Sequence, residues 1–482
     1  MIHYESAQDF IVLANASIEE CMLIIAKNLS KIAFVCDNAR VIGSISDGDI
    51  RRHLLREGAI SDKVDLAMHA TPITLSKEAL EMQGDEFIAT TSLDIDVYPV
   101  LDQDMNIIGV YKKSKTPSFP IYSPTIDGNE LKYVAKCLES NWISSQGPYV
   151  KQFGEKFESL IGHGFRAIAV SNGTSALFLA LKAFGIGAGD RIAVPSLTFA
   201  ATANAIIHTG AVPVFLDVDP QTWCITPESL KEALKYNLKG FISVDLYGNS
   251  CSSDELRDLA NKNDLIFIED AAEALGTLFK GTHVGKYSDA VTFSFFGNKT
   301  ITTGEGGMLC LKDKGAFDMA TLLRDHGMDK SKRYWHNIIG YNLRLTNIQA
   351  ALGVAQMEKL DATLRKKSYI YELYFANLKQ ILEFQVTTNW CKSSFWLISA
   401  LTPQTVDTSL LIENCKKVGI DLRRGFYPLH TMPPYIDYNS TSLMNTLSIT
   451  HRLISLPSYP SLSTEDINYI SEKIKTIIIE MM

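Results

Sequence analysis

The sequence predicts an α/β protein whose main sheet is mostly parallel and covered by helices on both faces, preceded by a smaller duplicated unit. Three observations lead to this class. The last three quarters of the chain alternate short apolar runs with amphipathic helical stretches. A segment rich in Pro, Ser and Lys, KKSKTPSFPIYSPT, interrupts the chain at 112–125. The residues before that segment repeat loosely, which indicates an internal duplication.

The composition is that of a globular protein with more than one domain. The chain has 482 residues, of which 46% are hydrophobic and 21% are charged. These values exclude a disordered, collagen-like or coiled-coil protein, and the length suits two or three domains. The formal net charge is −8, and no basic block occurs. We therefore expect neither nucleic acid nor an anionic membrane as a partner.

The cysteines and the start of the chain favour a cytoplasmic protein. Eight cysteines are scattered without a C-x-x-C pair, and MIHYESAQDF lacks the profile of an export signal. Reduced, buried thiols are the prediction. The most apolar stretch, 192–216, contains Pro195 and Pro213, so it predicts a buried strand–helix–strand passage and no membrane span. No metal site is predicted, because the histidines and cysteines show no zinc-type spacing.

The first unit contains two similar segments. Residues 31–55 consist of an apolar run, an Asp-Asn turn, a second apolar run and a helix start. Residues 94–115 have the same order, with D-Q-D-M-N as the turn. A short helical stretch precedes each segment, SIEECMLIIAKN in one case and LSKEALEMQ in the other.

This repeat resembles a tandem pair of CBS domains, a family in which adenine nucleotides bind in a shared cleft. Gly43, Ser46 and Asp49 fit the G-x-x-[ST]-x-x-D signature of that family. The resemblance implies that Asp49 contacts the ribose hydroxyls. The second copy departs from the signature, since Gly109 is followed by VYKKSK with no acidic residue. We expect at most one intact ribose site, and a docking or dimerisation module without ligand is the alternative.

The second unit begins its alternating pattern after the Pro-rich segment. Six apolar runs are expected as strands: RAIAVSN, DRIAVPS, VPVFLDV, GFISVDLY, DLIFIED and AVTFSFF. The stretches between them, such as SALFLALKAFG, PESLKEALKYN and SDELRDLANKN, are expected as helices. In sheets of this class ligands bind at the carboxyl ends of the strands, which is where the polar residues fall.

The first chemical signal is SNGTSALFLAL at 171–181. A strand ends there, Gly173, Thr174 and Ser175 form a turn, and a helix begins. The N–H groups at a helix start, together with the helix dipole, suit a phosphate group. An ordinary helix cap is the commoner explanation of such a turn.

Two further signals are Asp270 and Lys299. Asp270 ends a buried apolar strand in LIFIEDAAEALG, where it either caps the next helix or meets a cation in the cleft. Lys299 lies in the glycine-flanked loop of TFSFFGNKTITTGEGGML. A loop lysine is usually solvated, but at a strand end in a cleft its pKa can fall and it can become a nucleophile.

The order of these three signals is typical of a pyridoxal-phosphate (PLP) enzyme of fold type I. That cofactor needs a lysine for its aldehyde, a carboxylate that keeps the pyridine nitrogen protonated and an anchor for its phosphate. Phe199, in PSLTFAATANA, is placed to stack on the pyridine ring, and a core position is the alternative.

From about Ile121 onward, the chain resembles the DegT/StrS family of nucleotide-sugar aminotransferases. The resemblance is carried, in order, by NWISSQGPYV (141–150), SNGTSAL, IEDAAEALG, TFSFFGNKTITTGEGGM, LRDHGMD (323–329), RYWHNIIGYNLRLTNIQAALGVAQ (333–356) and LHTMPPY (429–435). It implies three parts: a CBS pair at 1–118, a PLP-binding large domain at 119–365 and a small C-terminal α+β subdomain at 366–482.

The family resemblance assigns catalytic roles to Lys299 and Asp270 and a cofactor contact to Glu273. Lys299 would carry the cofactor and act as general base and acid between C4′ of the cofactor and the substrate carbons. Asp270 would pair with the pyridine nitrogen. Glu273 occupies a position that contacts the ring hydroxyl, where many members have glutamine.

The resemblance also assigns the binding residues. Gly173, Thr174, Ser175 and Ser294 would hold the phosphate. Asn342 would reach the phosphate of the neighbouring subunit, which implies a homodimer with shared active sites. The candidates for the sugar and nucleotide pocket, for which interface packing is the alternative, are Trp142, Ser145, His326, Tyr334 and Trp335.

The expected reaction is transamination. Some family members have histidine in place of the lysine and dehydrate the sugar, so Lys299 favours amino transfer. The resemblance implies glutamate as amino donor and a 4-keto-6-deoxy nucleotide sugar as acceptor, for surface polysaccharide or O-antigen synthesis. The RYW and GNKTITTGEGG segments favour C4 of a GDP-linked sugar. The alternatives are a UDP- or dTDP-linked 4-keto or 3-keto sugar, and a nucleotide sensor whose aminotransferase part is inactive or regulatory.

Overall fold

The computed structural model describes residues 6–28, 30–78, 96–112, 118–329, 331–438 and 440–482. The chain divides into two units, Met1–Thr116 and Pro117–Met482, within the Pro-rich segment. No helix of the described residues is long and apolar enough to cross a membrane. The eight cysteines are free and buried, as the sequence predicts.

Unit 1 contains two small sheets with the same topology. Each has three strands, of which the first pair is parallel and the second pair antiparallel. The strands are β1 (Ile11–Leu13), β2 (Ile32–Asp37) and β3 (Arg40–Ser46) in one sheet, and β4 (Leu75–Ser76), β5 (Val97–Leu101) and β6 (Ile107–Lys112) in the other. The α-helices that lie entirely within the described residues of this unit are Ile18–Asn28 and Asp47–Leu54, and short 3-10 turns lie at Gln8–Phe10 and Val64–Leu66.

The two hairpins of unit 1 share an irregularity. Val35 lies opposite Gly43 in one hairpin and Val100 lies opposite Gly109 in the other, and the register shifts directly after each valine. The two halves of the predicted repeat therefore carry a bulge at the same place. Most of the helical stretch predicted from LSKEALEMQ lies outside the described residues, and its first two residues form β4.

Unit 2 is built on a seven-stranded sheet. Its strands are β7 (Arg166–Val170), β8 (Arg191–Pro195), β9 (Val212–Leu216), β10 (Gly240–Val244), β11 (Ile266–Asp270), β14 (Ala290–Ser294) and β15 (Gly307–Leu311). Their order in the sheet is β7-β15-β14-β11-β10-β8-β9. All six predicted runs form strands. β15 was not predicted, and it is antiparallel to both of its neighbours, whereas the other strands all run in one direction.

Helices cover both faces of this sheet. Phe241 and Phe267 pack toward the helices Pro227–Ala233 and Ser253–Lys262, while Ile242 and Ile268 pack toward the opposite layer. Successive strand residues thus enter different cores, which explains why the strands are apolar throughout. The remaining α-helices before the C-terminal part are Glu130–Glu139, Pro148–Ile161, Gly173–Ala183, Ala200–His208, Lys314–Arg324 and Asn347–Glu358.

The C-terminal part has a four-stranded antiparallel sheet. Its strands are β16 (Glu383–Phe384), β18 (Ile398–Leu401), β19 (Arg423–Arg424) and β20 (Leu453–Leu456), and their order is β16-β18-β20-β19. The helices of this part are Leu360–Leu378, Thr408–Lys417, Met444–Thr450 and Thr464–Met481. A small sheet joins β12 (Leu278–Phe279), β13 (Thr282–His283) and β17 (Cys391–Lys392). The expected boundary at 365/366 falls inside the helix Leu360–Leu378.

The first residues of unit 2 pack with this C-terminal part. The Phe119 N–H donates to the carbonyl of Gly419 at 2.8 Å, and the Ile121 N–H donates to Asp421 Oδ2 at 3.2 Å. The final helix presents Ile467, Ile470, Ile474 and Ile478 to the same core at helical spacing.

Candidate active site

A cavity of about 460 Å³ lies at the carboxyl ends of five parallel strands. Residues that directly follow β7 and β8 and residues that end β10, β11 and β14 contribute to its wall. This is the edge at which the fold class predicts a ligand. Seven of the predicted site residues line the cavity: Gly173, Thr174, Phe199, Asp270, Glu273, Ser294 and Lys299.

One end of the cavity is the start of the helix Gly173–Ala183. The Asn172 side chain caps this helix by accepting a hydrogen bond from the Ser175 N–H at 2.8 Å. The N–H groups of Gly173 and Thr174, in the first turn, cannot bond within the helix and suit an anion. A Cβ atom on Gly173 would lie 2.8 Å from Ser294 Cβ, so glycine keeps the space between the helix start and β14 open.

Ser175 has a different place from the other three phosphate candidates. It is absent from the cavity wall, and its hydroxyl lies 3.0 Å from the Ser171 hydroxyl. Its backbone N–H is already used by Asn172. Ser175 therefore stabilises the turn that presents Gly173 and Thr174.

Asp270 ends β11 with its carboxylate in the cavity wall. Oδ2 accepts a hydrogen bond from the Thr202 hydroxyl at 2.9 Å, and Oδ1 accepts one from the Ala272 N–H at 3.2 Å. Burial raises the pKa of Asp270, and the two donors together with the charge of Lys299 oppose this rise. A buried carboxylate held in this way suits a cationic N–H group of a ligand.

Lys299 enters the same cavity between an acid and an aromatic ring. Its Nζ lies 3.5 Å from Glu273 Oε1 and 3.9 Å from the centroid of the Trp396 ring. Burial lowers the pKa of Lys299, although Glu273 and Asp270 act in the other direction. The lowered pKa increases the share of free amine, which is the nucleophilic form.

Glu273 is fixed from its other oxygen. Oε2 accepts a hydrogen bond from the Tyr247 N–H at 2.9 Å, so Oε1 is directed at Lys299. Burial raises the pKa of Glu273, with Lys299 and the Tyr247 N–H opposing it.

Phe199 is an exposed residue of the cavity wall, so the core alternative is wrong. Its side chain is 59% exposed, and its ring centroid lies 5.9 Å from that of Phe426. An aromatic face at this position is available to a flat ring.

The residues present fit pyridoxal phosphate. The cavity offers first-turn N–H groups and Ser294 for a phosphate, Asp270 for a protonated ring nitrogen, Lys299 for an aldehyde and Phe199 for a ring face. The glycine at 173 leaves the room that a phosphate beside Ser294 requires.

Three contributors to the site were not predicted from the sequence. The Tyr122 hydroxyl donates to the Lys299 carbonyl at 2.7 Å, and the Trp396 Nε1–H donates to the Asn298 carbonyl at 2.7 Å. Thr202 is bonded to Asp270. The three-residue spacing between Phe199 and Thr202 on one helix start could have indicated the latter, whereas nothing local marks Tyr122 or Trp396.

The residues predicted for a sugar and nucleotide pocket, and Asn342, are absent from the wall of this cavity. Those residues are Trp142, Ser145, His326, Tyr334 and Trp335. Tyr334 is 75% exposed and Trp335 is 51% exposed. The amide oxygen of Asn342 accepts a hydrogen bond from Arg344 Nε at 3.0 Å.

Ser46 and Asp49 in unit 1 form the cap of the helix Asp47–Leu54. The Ser46 hydroxyl donates to Asp49 Oδ2 at 2.5 Å, and Arg52 Nη2 lies 2.5 Å from Asp49 Oδ1. Burial acts to raise the pKa of Asp49, but the Ser46 bonds and Arg52 outweigh it and lower the pKa. Among the side chains that the structure describes, no cluster of His, Cys, Asp and Glu suits a metal ion.

Comparisons with known proteins match part of each unit to a different family. Residues 124–475 match the model of the DegT/DnrJ/EryC1/StrS aminotransferase family, and residues 6–56 match that of the CBS domain. A GDP-perosamine synthase from Escherichia coli O157:H7 is 42% identical over 356 residues, which are 74% of this chain and 97% of that protein.

Two solved structures show the same architecture. Helicobacter pylori PseC, an aminotransferase in pseudoaminic acid biosynthesis, is 28% identical with a TM-score of 0.72, covering 76% of this chain and 100% of its own. A Streptococcus pneumoniae protein described as a sugar aminotransferase, in its PLP form, is 26% identical with a TM-score of 0.72 and the same coverage.

Proposed function

The chain belongs to the DegT/DnrJ/EryC1/StrS aminotransferase family, and from this premise we propose that it transfers an amino group from glutamate to C4 of a GDP-linked 4-keto-6-deoxy sugar. Membership of the family makes the chain a PLP-dependent aminotransferase of fold type I. A separate match shows a CBS domain near its N-terminus. The fold class, the reaction type and the cofactor predicted from the sequence are thereby confirmed.

The observation that carries the catalytic proposal is the position of Lys299. Its Nζ lies beside Glu273 in a cavity that also holds Asp270 and the helix start at Gly173. The choice of sugar is supported by the name of the E. coli relative, which is matched over 97% of its length. We propose GDP-4-keto-6-deoxymannose as acceptor and GDP-perosamine as product, for surface polysaccharide.

The residues around the cavity receive the following roles. The N–H groups of Gly173 and Thr174, with the Ser294 hydroxyl, hold the phosphate. Asp270 holds a proton on the pyridine nitrogen, and Phe199 covers one ring face. Bound pyridoxal phosphate supplies an aldehyde that takes up the amino group and a ring that accepts electron density from the adjoining carbon.

Lys299 moves the protons of the reaction. As a free amine, Nζ accepts a proton from the substrate carbon that carries the amino group and then donates it to C4′ of the cofactor. Glu273, 3.5 Å away, stabilises the ammonium that exists between these events. The face of Trp396, at 3.9 Å, adds a cation–π contact and excludes water from Nζ.

A substrate panel tests the proposal directly. The full-length protein is incubated with glutamate and with GDP-, UDP- or dTDP-linked 4-keto-6-deoxy sugars, and the products are identified by mass. We expect the amino sugar from the GDP-linked substrate at the highest kcat/KM. A UDP- or dTDP-linked product formed faster would replace the proposed substrate by one of the alternatives.

The role of Lys299 is tested by Lys299→Ala. We expect loss of the yellow absorbance and of turnover, because no other amine of the described cavity wall is placed like Nζ. Lys314→Ala, an exposed lysine paired with Asp318 on a surface helix, is the matched control and keeps both properties. A Lys299→Ala protein with normal turnover would contradict the mechanism.

We further propose that the active unit is a cytoplasmic homodimer with shared sites. Three of the predicted residues lie on exposed segments and do not line the cavity of their own chain: Asn342, Tyr334 and Trp335. We therefore propose that they act in the cavity of the other subunit. Exposed aromatic residues of this kind are common at subunit contacts. The free, buried thiols suit a reducing compartment.

For unit 1 we propose a regulatory CBS pair that binds an adenine nucleotide. The CBS match at 6–56 and the equal topology of the two small sheets support the pair. Because Asp49 is already bonded to Ser46 and Arg52, ribose hydroxyls would have to displace Arg52.

Calorimetry with AMP and ATP on the full chain should show binding that Asp49→Ala weakens and Asp47→Ala does not. If neither nucleotide binds and neither changes the turnover of the enzyme, the proposal is wrong.

A further inference from the structure

Lys367 is a fully buried lysine whose ammonium lacks an acidic partner among the described residues. It lies on the helix Leu360–Leu378 and has no exposed surface. Its Nζ donates to the carbonyl oxygens of Ser458 at 2.7 Å, Trp396 at 2.9 Å and Phe395 at 3.4 Å. Lysine is almost never fully buried unless it is paired with an acid, so this position calls for an explanation.

The burial of Lys367 has a cost in folding free energy. Burial lowers the pKa of Lys367 to about 7, because the interior disfavours its charged form. An apolar side chain of similar length would avoid that penalty, but it would leave the three carbonyl oxygens without this donor. The reason for a lysine at this position therefore lies in the residues to which its Nζ is hydrogen-bonded.

Those groups adjoin Lys299 on both sides. The Trp396 indole donates to the carbonyl that precedes Lys299, that of Asn298, at 2.7 Å. The Tyr122 hydroxyl donates to the carbonyl of Lys299 itself, also at 2.7 Å. We call Tyr122 and Trp396 the lysine clamp, since together they fix the two peptide groups around Lys299.

Lys367 contacts both members of the lysine clamp. Its Nζ bonds the carbonyl of Trp396 and lies 5.4 Å from the centroid of the Tyr122 ring, within cation–π distance. The Trp396 ring in turn lies 3.9 Å from Lys299 Nζ. One buried cation thus connects the two side chains that determine where the Lys299 amine stands.

We propose that Lys367 is a positioning residue for Lys299, acting through the lysine clamp. It touches neither cofactor nor substrate, and it sets the place of the Lys299 amine by fixing Tyr122 and Trp396. This inference rests on the proposed role of Lys299. A displaced amine would capture an aldehyde less well, while the parts of the cavity that hold the phosphate and the ring would remain.

The test compares two ligands that differ only at the reacting atom. Pyridoxal phosphate has an aldehyde that a lysine can capture, and pyridoxamine 5′-phosphate has the same ring and phosphate without it. The affinities of both are measured on full-length cofactor-free protein. Lys367→Met should weaken the affinity for pyridoxal phosphate by about tenfold or more and leave that for pyridoxamine 5′-phosphate within about twofold.

Matched variants separate positioning from folding. Lys367→Arg keeps the cation and its donors and should recover part of the lost affinity. Lys366→Met makes the same change on the preceding residue of the helix, whose Nζ lies over the Tyr369 ring at 5.6 Å, and should alter neither affinity. If both affinities fall together in Lys367→Met, or if neither changes, the proposal is wrong.

A second variant keeps the proposal testable if Lys367→Met does not fold. Tyr122→Phe keeps the ring and removes the bond to the Lys299 carbonyl, and it should show the same selective loss. An unchanged ratio of the two affinities in Tyr122→Phe would overturn the lysine clamp. Lys299→Ala should bind pyridoxamine 5′-phosphate normally and lose its preference for pyridoxal phosphate. If it kept that preference, the proposed role of Lys299 would fail, whatever Lys367 does.

Discussion

Asp270 and Lys299 respond in opposite ways to the same environment. Burial raises the pKa of the acid and lowers the pKa of the lysine, so both are drawn toward their uncharged forms. An uncharged Lys299 is ready to attack an aldehyde. Asp270, in contrast, becomes useful when a cationic ring nitrogen arrives and restores its charge. The two groups are therefore prepared for a ligand that brings its own cation.

Thr202 should control the ionisation of Asp270. Thr202→Val removes the hydroxyl that donates to Asp270 Oδ2 at 2.9 Å and keeps the shape of the side chain. Without this donor the pKa of Asp270 rises further, so the carboxylate forms only at higher pH. We expect kcat/KM near neutral pH to fall by about tenfold or more. The acid limb of the pH–rate profile should move to higher pH.

Thr209→Val is the control for that profile. Thr209 lies at the end of the same helix and donates to the Ile206 carbonyl at 2.7 Å, away from the cavity wall. Its loss can lower the unfolding temperature without moving the acid limb. A Thr202→Val profile that overlays the wild-type profile would mean that Asp270 does not depend on this bond.

Asp245 and Glu269 are two buried acids that lie outside the wall of the catalytic cavity. Asp245 Oδ2 and Glu269 Oε2 are buried without a donor, and burial and mutual repulsion raise the pKa of Asp245. Their other oxygens are used, since Asp245 Oδ1 accepts from the Cys251 N–H and Glu269 Oε1 from the Ser253 hydroxyl. We expect one proton to be shared between Asp245 Oδ2 and Glu269 Oε2, which would satisfy both groups.

The shared proton predicts a pH-dependent effect of Asp245→Asn. A raised pKa in the folded state stabilises the fold below the unfolded-state pKa of about 4, and this stabilisation is lost as the pH rises through the folded-state pKa. Asparagine at position 245 has an N–H donor in place of the shared proton, and this donor is present at every pH. Relative to the wild type, Asp245→Asn should therefore gain stability between pH 5 and pH 8, measured by urea unfolding.

The double variant, Asp245→Asn with Glu269→Gln, should be destabilised, in contrast to each single variant. Asp245→Asn and Glu269→Gln each leave one donor facing one acceptor, so each should be tolerated. Together they leave two N–H groups facing each other, at a penalty of about 1–3 kcal/mol in unfolding free energy. Additive effects in this double-mutant cycle would show that the two oxygens do not share a proton.

At the scale of elements, the start of the helix Gly173–Ala183 should matter more for the cofactor than for folding. In Gly173→Ala the new Cβ would meet Ser294 Cβ at 2.8 Å, and the helix start must move away from β14. Overpacking of this kind costs about 1–3 kcal/mol. We expect the affinity for pyridoxal phosphate to fall by about tenfold or more, measured by fluorescence titration.

Gly187→Ala is the comparison for this element. A Cβ there would lie 3.8 Å from the Thr209 carbonyl, an ordinary contact outside the cavity wall. It should leave cofactor affinity unchanged. Equal losses in the two variants would trace the effect to general destabilisation and would argue against a phosphate site beside Gly173.

The elements that the sequence predicts are those whose signals are local. The six parallel strands are buried on both faces and therefore appear as continuous apolar runs. β15 follows the Gly-rich segment TTGEGG, which obscures the start of the apolar run that forms it. The same distinction holds in the site. Asp270 and Lys299 follow apolar runs, but Tyr122 and Trp396 reach Lys299 only because distant segments pack together.

At the scale of the whole molecule, shared active sites predict complementation between two inactive variants. Lys299→Ala removes the reactive amine, and Asn342→Ala removes the group proposed to act in the neighbouring cavity. In a mixed dimer one site carries both defects and the other carries neither. Random mixing should then restore about a quarter of the wild-type turnover.

The mixing experiment has its own control. The two variants are combined before and after cross-linking, and only free exchange of subunits should restore activity. Full turnover of Asn342→Ala alone would show that this residue has no role in a neighbouring site. Mixed protein that stays inactive despite exchange would place Asn342 and Lys299 of one chain at the same site.

The ends of unit 2 are tied together, and this has a consequence for synthesis on the ribosome. Ser458 bonds both Lys367 and the carbonyl of Ile121, while Tyr122 and Trp396 bond the peptide around Lys299. Lys299 is translated well before three of these four side chains, namely Lys367, Trp396 and Ser458. At about 5–20 residues per second, several seconds pass before Trp396 and Ser458 follow. A nascent chain therefore carries this lysine unclamped, and a reactive amine at its working position exists only after residue 458 has been translated.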